Sequence, residues 1–240
     1  MLKKVLVSLL LASAFAVHAD EASIRKTMQS MFPKLKVESV TKTPYEGLYE
    51  VYIGDQIIYT DENFSFLIAE GRLMDVKTRK DITAARMDEL SRIDFDSLPL
   101  DQAIKVVKGN GSRKLAVFSD PDCPFCKKLE KQELSSITDV TVYTFLLPLE
   151  HLHPDAANKS KAIWCAPDRA KAWYSWINNA FLPQGKAGCS APLEKVAALA
   201  NKMGVSSTPT LFFADGSRMR GAYPAEDIEK ALNAAAKKSR

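Results

Sequence analysis

The spacing of apolar positions divides the chain into two styles of folding. In residues 20–32, Ile24, Met28 and Met31 recur at intervals of four and three, the period of an amphipathic helix, and Pro33 ends it. Residues 36–78 instead alternate. The runs Lys36–Thr43, Leu48–Ile53, Gln56–Thr60, Phe64–Ala69 and Leu73–Lys77 are separated by turn formers such as Gly47, Gly54-Asp55 and Gly71. They predict a small antiparallel sheet with one helix packed on it. Residues 81–94 read as a charged connecting helix, and Asp96–Asp101 as a break. Gln102–Val107 reads as a short helix closed by Gly109-Asn-Gly111.

From residue 114 the pattern becomes strand–helix alternation. Strands are expected at 114–118, 140–147 and 210–213, with a hairpin turn at Asp215-Gly216. Helices are expected over 127–134, 154–181 with a break at Ala166-Pro167, 192–203 and 225–237. The predicted class is α+β, with an antiparallel-sheet domain at 20–80, a linker helix at 81–100 and a helix-covered sheet at 101–240. A sheet domain of about 60 residues buries little surface and leaves edge strands. Pairing with a second copy would relieve both problems, and packing on the rest of its own chain is the alternative; a homodimer through 20–80 is the favoured expectation.

The first 19 residues change the compartment. Lys3 and Lys4 precede an apolar run from Val5 to Val17, and Val17-His18-Ala19 suits cleavage after Ala19. The run is too short for a spanning helix, so it reads as a signal peptide rather than an anchor. Loss of the two lysines lowers the formal net charge from +4 to +2, too weak to argue for nucleic acid or a membrane surface as partner.

An exported chain meets an oxidising compartment, which gives its four cysteines meaning. Cys123 and Cys126 stand two residues apart; Cys165 and Cys189 are distant. Three pairings are possible, and the close pair suggests 123–126 with 165–189. A four-cysteine zinc site is the alternative, but such sites present two close pairs and here there is one. No metal or cofactor is expected. Strand 114–118 leads into Cys123-Pro-Phe-Cys126 and then a helix. Helix-start N–H groups and the helix dipole favour a thiolate, the reactive form of cysteine. Pro124 suits the first helical position, which makes Cys123 the N-cap and exposed nucleophile and Cys126 the buried thiol about one turn in. Asp120 and Asp122 oppose the thiolate; as solvated carboxylates they are expected to lose to N–H groups touching the sulfur.

Gly204-Val-Ser-Ser-Thr-Pro-Thr210 immediately precedes the 210–213 strand. Cys-x-x-Cys followed by such a proline resembles the thioredoxin fold, in which a cis-proline loop faces the cysteines. Val117-Phe-Ser-Asp-Pro-Asp-Cys-Pro-Phe-Cys126, Lys161-Ala-Ile-Trp-Cys165 and Gly204-Val-Ser-Ser-Thr-Pro209 resemble the DsbC/DsbG family of periplasmic disulfide isomerases, and the resemblance spans the mature chain. It implies a thioredoxin-like domain with a helical insertion and a homodimer. It also implies a non-catalytic Cys165–Cys189 disulfide, with Thr208 before cis-Pro209 holding a substrate strand. The substrates implied are misfolded, disulfide-containing exported proteins, and the implied partner is a membrane reductase of the DsbD kind that keeps Cys123 and Cys126 reduced. Pro124-Phe125 departs from the Gly-Tyr of the best-known isomerase and is closer to the Pro-Tyr of the DsbG branch.

Two other functions fit parts of this pattern. A dithiol oxidase of the DsbA kind shares the fold and motif, but the β-rich first domain favours the isomerase. A dimeric chaperone for unfolded exported chains is compatible with either. Glu150-His-Leu-His153 reads as a loop rather than a metal site, and Trp164, Trp173 and Trp176 as packing residues. Lys127, Lys128 and Lys131 read as a solvated helix face.

Overall fold

The structure is a computed structural model that describes residues 20–54, 56–183 and 189–238; the expected signal peptide lies outside the described residues. The chain divides into two compact units between Leu90 and Ser91.

In the first unit, a helix over residues 20–31 (α1) buries Ile24 and Met28 completely, while Met31 is exposed. Strands β1 (Ser39–Lys42), β2 (Tyr49–Tyr52) and β3 (Ile57–Thr60) form an antiparallel sheet in the order β1-β2-β3. One face packs Val40, Tyr49, Val51 and Ile58 against Ile24 and Met28. The other packs Tyr52, Ile57 and Tyr59 with Leu73, Met87 and Leu90, the last two from α2 (Ile82–Leu90). That second cover explains why β2 and β3 are buried at every position. The expected strands at 64–69 and 73–77 shrink to single bridges, Tyr59 to Ile68 and Met74 to Asp81. Positive φ at Phe64 and Glu70 interrupts extended backbone there, and the Asp61 and Asp75 side chains take up nearby N–H groups in turns. The helix expected over 81–94 stops at Leu90.

The second unit is a five-stranded sheet in the order β4-β6-β5-β7-β8. Its strands are β4 (Ile104–Lys108), β5 (Arg113–Ser119), β6 (Val140–Leu146), β7 (Thr210–Phe213) and β8 (Arg218–Arg220). β5 and β6 run parallel and the other neighbours antiparallel. The segment expected as a short helix at 102–107 is mostly strand β4. Its alternating burial is that of an edge strand, and antiparallel pairing with β6 outweighs the weak local preference. Central β5 is buried on both faces. Leu115 and Val117 pack with Leu129, Leu211, Ile228 and Leu232, whereas Ala116 and Phe118 pack with Phe145, Val196, Ala200 and Phe212.

Between β6 and β7 lie α4 (Ala156–Trp164), α5 (Arg169–Asn179) and α6 (Leu193–Lys202); α7 (Ala225–Lys238) closes the unit. The break before α5 is a cap, where Asp168 accepts the Lys171 N–H. Cys165, at the end of α4, is bonded to Cys189, 24 residues on, across a Cα separation of 5.7 Å. With both sulfurs in that bond, a four-cysteine zinc site does not form.

The start of this unit is fastened to the β7–β8 hairpin. Ile93 N–H donates to the Gly216 carbonyl at 3.1 Å, and Arg92 bonds both the Asp215 carbonyl and its carboxylate at 2.9 Å. Gly216 has φ +79°, and a Cβ there would run into the Ile93 carbonyl, so both backbone and space require glycine. Burial raises the Asp215 carboxyl, but bonds from Ser217 and Arg92 prevail and lower it to about 2.

Candidate active site

β5 ends at Ser119, and the turn Asp120–Asp122 delivers the chain to α3 (Pro124–Lys128). Cys123 is the N-cap, with extended φ −63° and ψ 121°, and Pro124 begins the helix, where a missing N–H is harmless. A π-helical turn, Leu129–Glu133, and a last 3₁₀ turn carry the segment to Ser136. Leu129 and Leu134 anchor it in the core. Opposite Cys123, the Thr208–Pro209 peptide is cis and sits just before β7. The Cys123 thiol reaches the Thr208 carbonyl at 3.4 Å.

Both cysteines are free thiols and both are buried, Cys126 fully and Cys123 with 5% exposure. The expectation of an exposed nucleophile is therefore corrected: Thr208 lies against the sulfur, and the exposed residues of the motif are Pro124 and Phe125. The two thiols are strongly differentiated. A hydrogen bond from the Cys126 thiol, against the cost of burial, lowers Cys123 to about 5. The Cys126 N–H, the Thr208 hydroxyl and the Phe125 N–H add to the effect. Cys126 is pushed far up by burial and by the proton it shares with Cys123. The arrangement thus holds a thiolate at neutral pH beside a protonated thiol. In the reduced protein, the thiolate absorbance is expected to titrate near pH 5 and to move to about 8.5 on unfolding. A single transition near 8.5 in the folded protein would refute the differentiated pair.

The carboxylates are not solvated as expected. Asp120 is fully buried and accepts from the Asp122 N–H and the Leu149 N–H, each at 2.7 Å, while His153 Nδ1 lies 3.1 Å away. Asp122 is held by Lys159 at 2.7 Å, with Lys127 at 3.9 Å. Local donors, rather than water, offset the negative charge beside Cys123.

A thioredoxin-like domain model matches residues 100–236, and a disulfide bond isomerase protein N-terminal domain model matches residues 15–84. The probable thiol:disulfide interchange protein DsbC of Bordetella parapertussis is 43% identical over 92% of this chain and 77% of its own length. The chain belongs to the DsbC family. The DsbC of Escherichia coli K12 is 26% identical, over 95% of this chain and 94% of its own. A crystal structure of a disulfide interchange protein from Neisseria gonorrhoeae, 47% identical, covers 58% of this chain and 99% of its own with a TM-score of 0.55. As a DsbC-family chain, the protein is a thiol:disulfide interchange protein with a thioredoxin-like second unit.

The DsbC-family site also uses residues that sequence reasoning treated as bland. Trp176 donates its Nε1–H to the Pro121 carbonyl at 2.7 Å. Its ring lies under the Lys127 and Lys159 ammonium groups, at 5.2 and 5.0 Å from their nitrogens. Lys127 is accordingly half-buried rather than part of a solvated face, while Lys131 is exposed. Trp164 and Trp173 are core residues. His153, read as part of a loop, faces Asp120 from 33 positions away, and nothing local in the sequence announces that pairing.

Proposed function

We propose that this protein isomerises and reduces incorrect disulfides in exported proteins, using Cys123 as nucleophile and Cys126 as resolving thiol. The observation that carries this reading is geometric: Cys123 caps the start of α3 with its sulfur 3.4 Å from the Thr208 carbonyl beside cis-Pro209, and the second thiol, Cys126, is buried in the same helix. The Cys123 thiolate attacks a substrate disulfide, forming a mixed disulfide and releasing one substrate thiolate. If another substrate thiolate attacks the substrate sulfur of that bond, the substrate is reshuffled and Cys123 is freed. If Cys126 attacks Cys123 instead, the substrate leaves reduced and the Cys123–Cys126 pair is oxidised. Thr208 and Pro209 position the substrate strand; proline offers no competing N–H.

The first unit pairs two copies into a homodimer. Supporting this, Phe66, Leu67, Ile68, Met74 and Val76 are exposed on a small unit, Val76 at 89%. The leader at 1–19 directs the chain to the periplasm, and Cys165–Cys189 serves as a structural disulfide. Among the described residues, no helix is long and apolar enough to cross a membrane.

One observation favours a second reading, a dithiol oxidase. A stabilised Cys123 thiolate favours the reduced pair and makes its disulfide oxidising. An isomerase with this site needs a steady reductant, here a membrane partner of the DsbD type. The deciding experiment is rapid acid quenching and thiol alkylation of the exported protein. A mostly reduced Cys123–Cys126 pair is expected; a mostly oxidised pair would replace the isomerase with the oxidase.

A further inference from the structure

The neutral dithiol leaves two donors at Cys126 poorly used. The Asp120 N–H points at the Cys126 sulfur from 3.4 Å. The Ser119 side chain is fully buried, and its hydroxyl has no partner of good geometry in this state. By the alternation of β5 its side chain falls on the face of Leu115 and Val117, which the cysteine-bearing segment covers through Leu129, and so on the Cys126 side of the strand; in keeping with this, it draws the Cys126 thiol downward, against the larger upward push of burial. A neutral thiol is a weak acceptor. A thiolate accepts strongly, so a buried donor gains far more from it.

Both donors are rigidly placed. Ser119 is the last residue of β5, in register with Leu146 of β6, and its carbonyl accepts the Leu147 N–H at 2.9 Å. The carboxylate next to them, Asp120, is already occupied by two N–H groups and His153. Ionisation of Cys126 is needed at one moment of the cycle, when Cys123 is tied to substrate. Cys123 has then lost the negative charge that accepts the Cys126 proton, and Cys126 must become the nucleophile.

We propose that the Ser119 hydroxyl and the Asp120 N–H form a two-donor cradle for the Cys126 thiolate, making Ser119 a catalytic residue of the resolving step. The inference rests on the assignment of Cys126 as resolving thiol. Cys126 gives its proton to solvent and its sulfur bonds to Cys123 Sγ. The Cys123–substrate S–S bond breaks, and the departing substrate thiolate takes up a proton. The dithiol is oxidised by two electrons and the substrate disulfide is reduced by the same two. The donors act on charge that develops in this step and are in place beforehand. They leave the first attack, which uses the Cys123 thiolate, untouched.

The test is stopped-flow reaction of the reduced full-length protein with oxidised glutathione, resolving formation of the Cys123–glutathione adduct from release of the second glutathione. In Ser119→Ala, adduct formation should keep the wild-type rate, while release slows by about tenfold or more. Ser119→Thr, which keeps the hydroxyl, should release within about twofold of wild type. Unchanged release in Ser119→Ala would overturn the cradle, and so would equal slowing of both steps, the mark of a merely structural role. If wild type forms an adduct that Cys126→Ser resolves equally fast, the assignment of Cys126 itself fails, and the cradle with it.

Discussion

Replacing Cys123 with serine should reduce recovery of scrambled disulfide substrates to the uncatalysed background. The sulfur lost is the one that is ionised at neutral pH, with a thiol lowered to about 5 by its Cys126 neighbour and the start of α3. A serine hydroxyl in the same place stays protonated and cannot open a disulfide. Cys126→Ser should behave differently. It keeps a nucleophile, so it should attack and then linger as a mixed disulfide, because the route through Cys126 is closed. The Cys126 thiol is also the largest contributor to Cys123 acidity, so Cys126→Ala, which removes the donor that serine would keep, should need higher pH for the same rate of attack. Wild-type recovery by Cys123→Ser in a refolding assay would remove the catalytic assignment altogether.

Truncation to residues 91–240 should yield a monomer that still reacts with oxidised glutathione but rescues scrambled proteins at least about tenfold less well. The cut falls where the chain divides, between Leu90 and Ser91, and the sheet, both cysteines and Thr208-Pro209 all lie beyond it. The thiol chemistry should therefore survive. What is lost is the exposed apolar surface around Phe66–Ile68 and Met74, the proposed contact with a second copy. A substrate that rearranges several disulfides must be held between attacks, and two linked sites recapture it where one releases it. Sedimentation measures the first outcome, and a dimer surviving truncation would refute the assigned interface.

The first prediction leans on a feature legible without coordinates. Cys123-Pro-Phe-Cys126 after an apolar run carries its own local logic, since N-cap, Pro at the first turn and helix are sequential neighbours. The hairpin at Asp215-Gly216 and the break before Arg169 were readable for the same reason. What stayed hidden depends on partners distant in sequence. Strand β4 is amphipathic enough to read as helix until β6 supplies its bonds. The runs at 64–77 carry strand residues but find one bridge each, because their turns are claimed by Asp61 and Asp75. Asp120 looked like an unfavourable charge because Leu149 and His153, which engage it, lie about 30 positions away. Ser119, ordinary in the sequence, matters through an unsatisfied hydroxyl that only packing creates.

The clamp between Arg92–Ile93 and the Asp215–Gly216 turn has a mechanical meaning. A pull on the chain from upstream of Ser91 is borne first by the Ile93 N–H to Gly216 bond and the Arg92 bonds to Asp215. The turn they hold joins β7 to β8, and β7 begins at Thr210, directly after Pro209. Gly221 N–H bonds the Pro209 carbonyl at 2.7 Å from the far end of β8. The point where the chain enters the second unit is thus joined, through the β7–β8 hairpin, to the loop opposite Cys123.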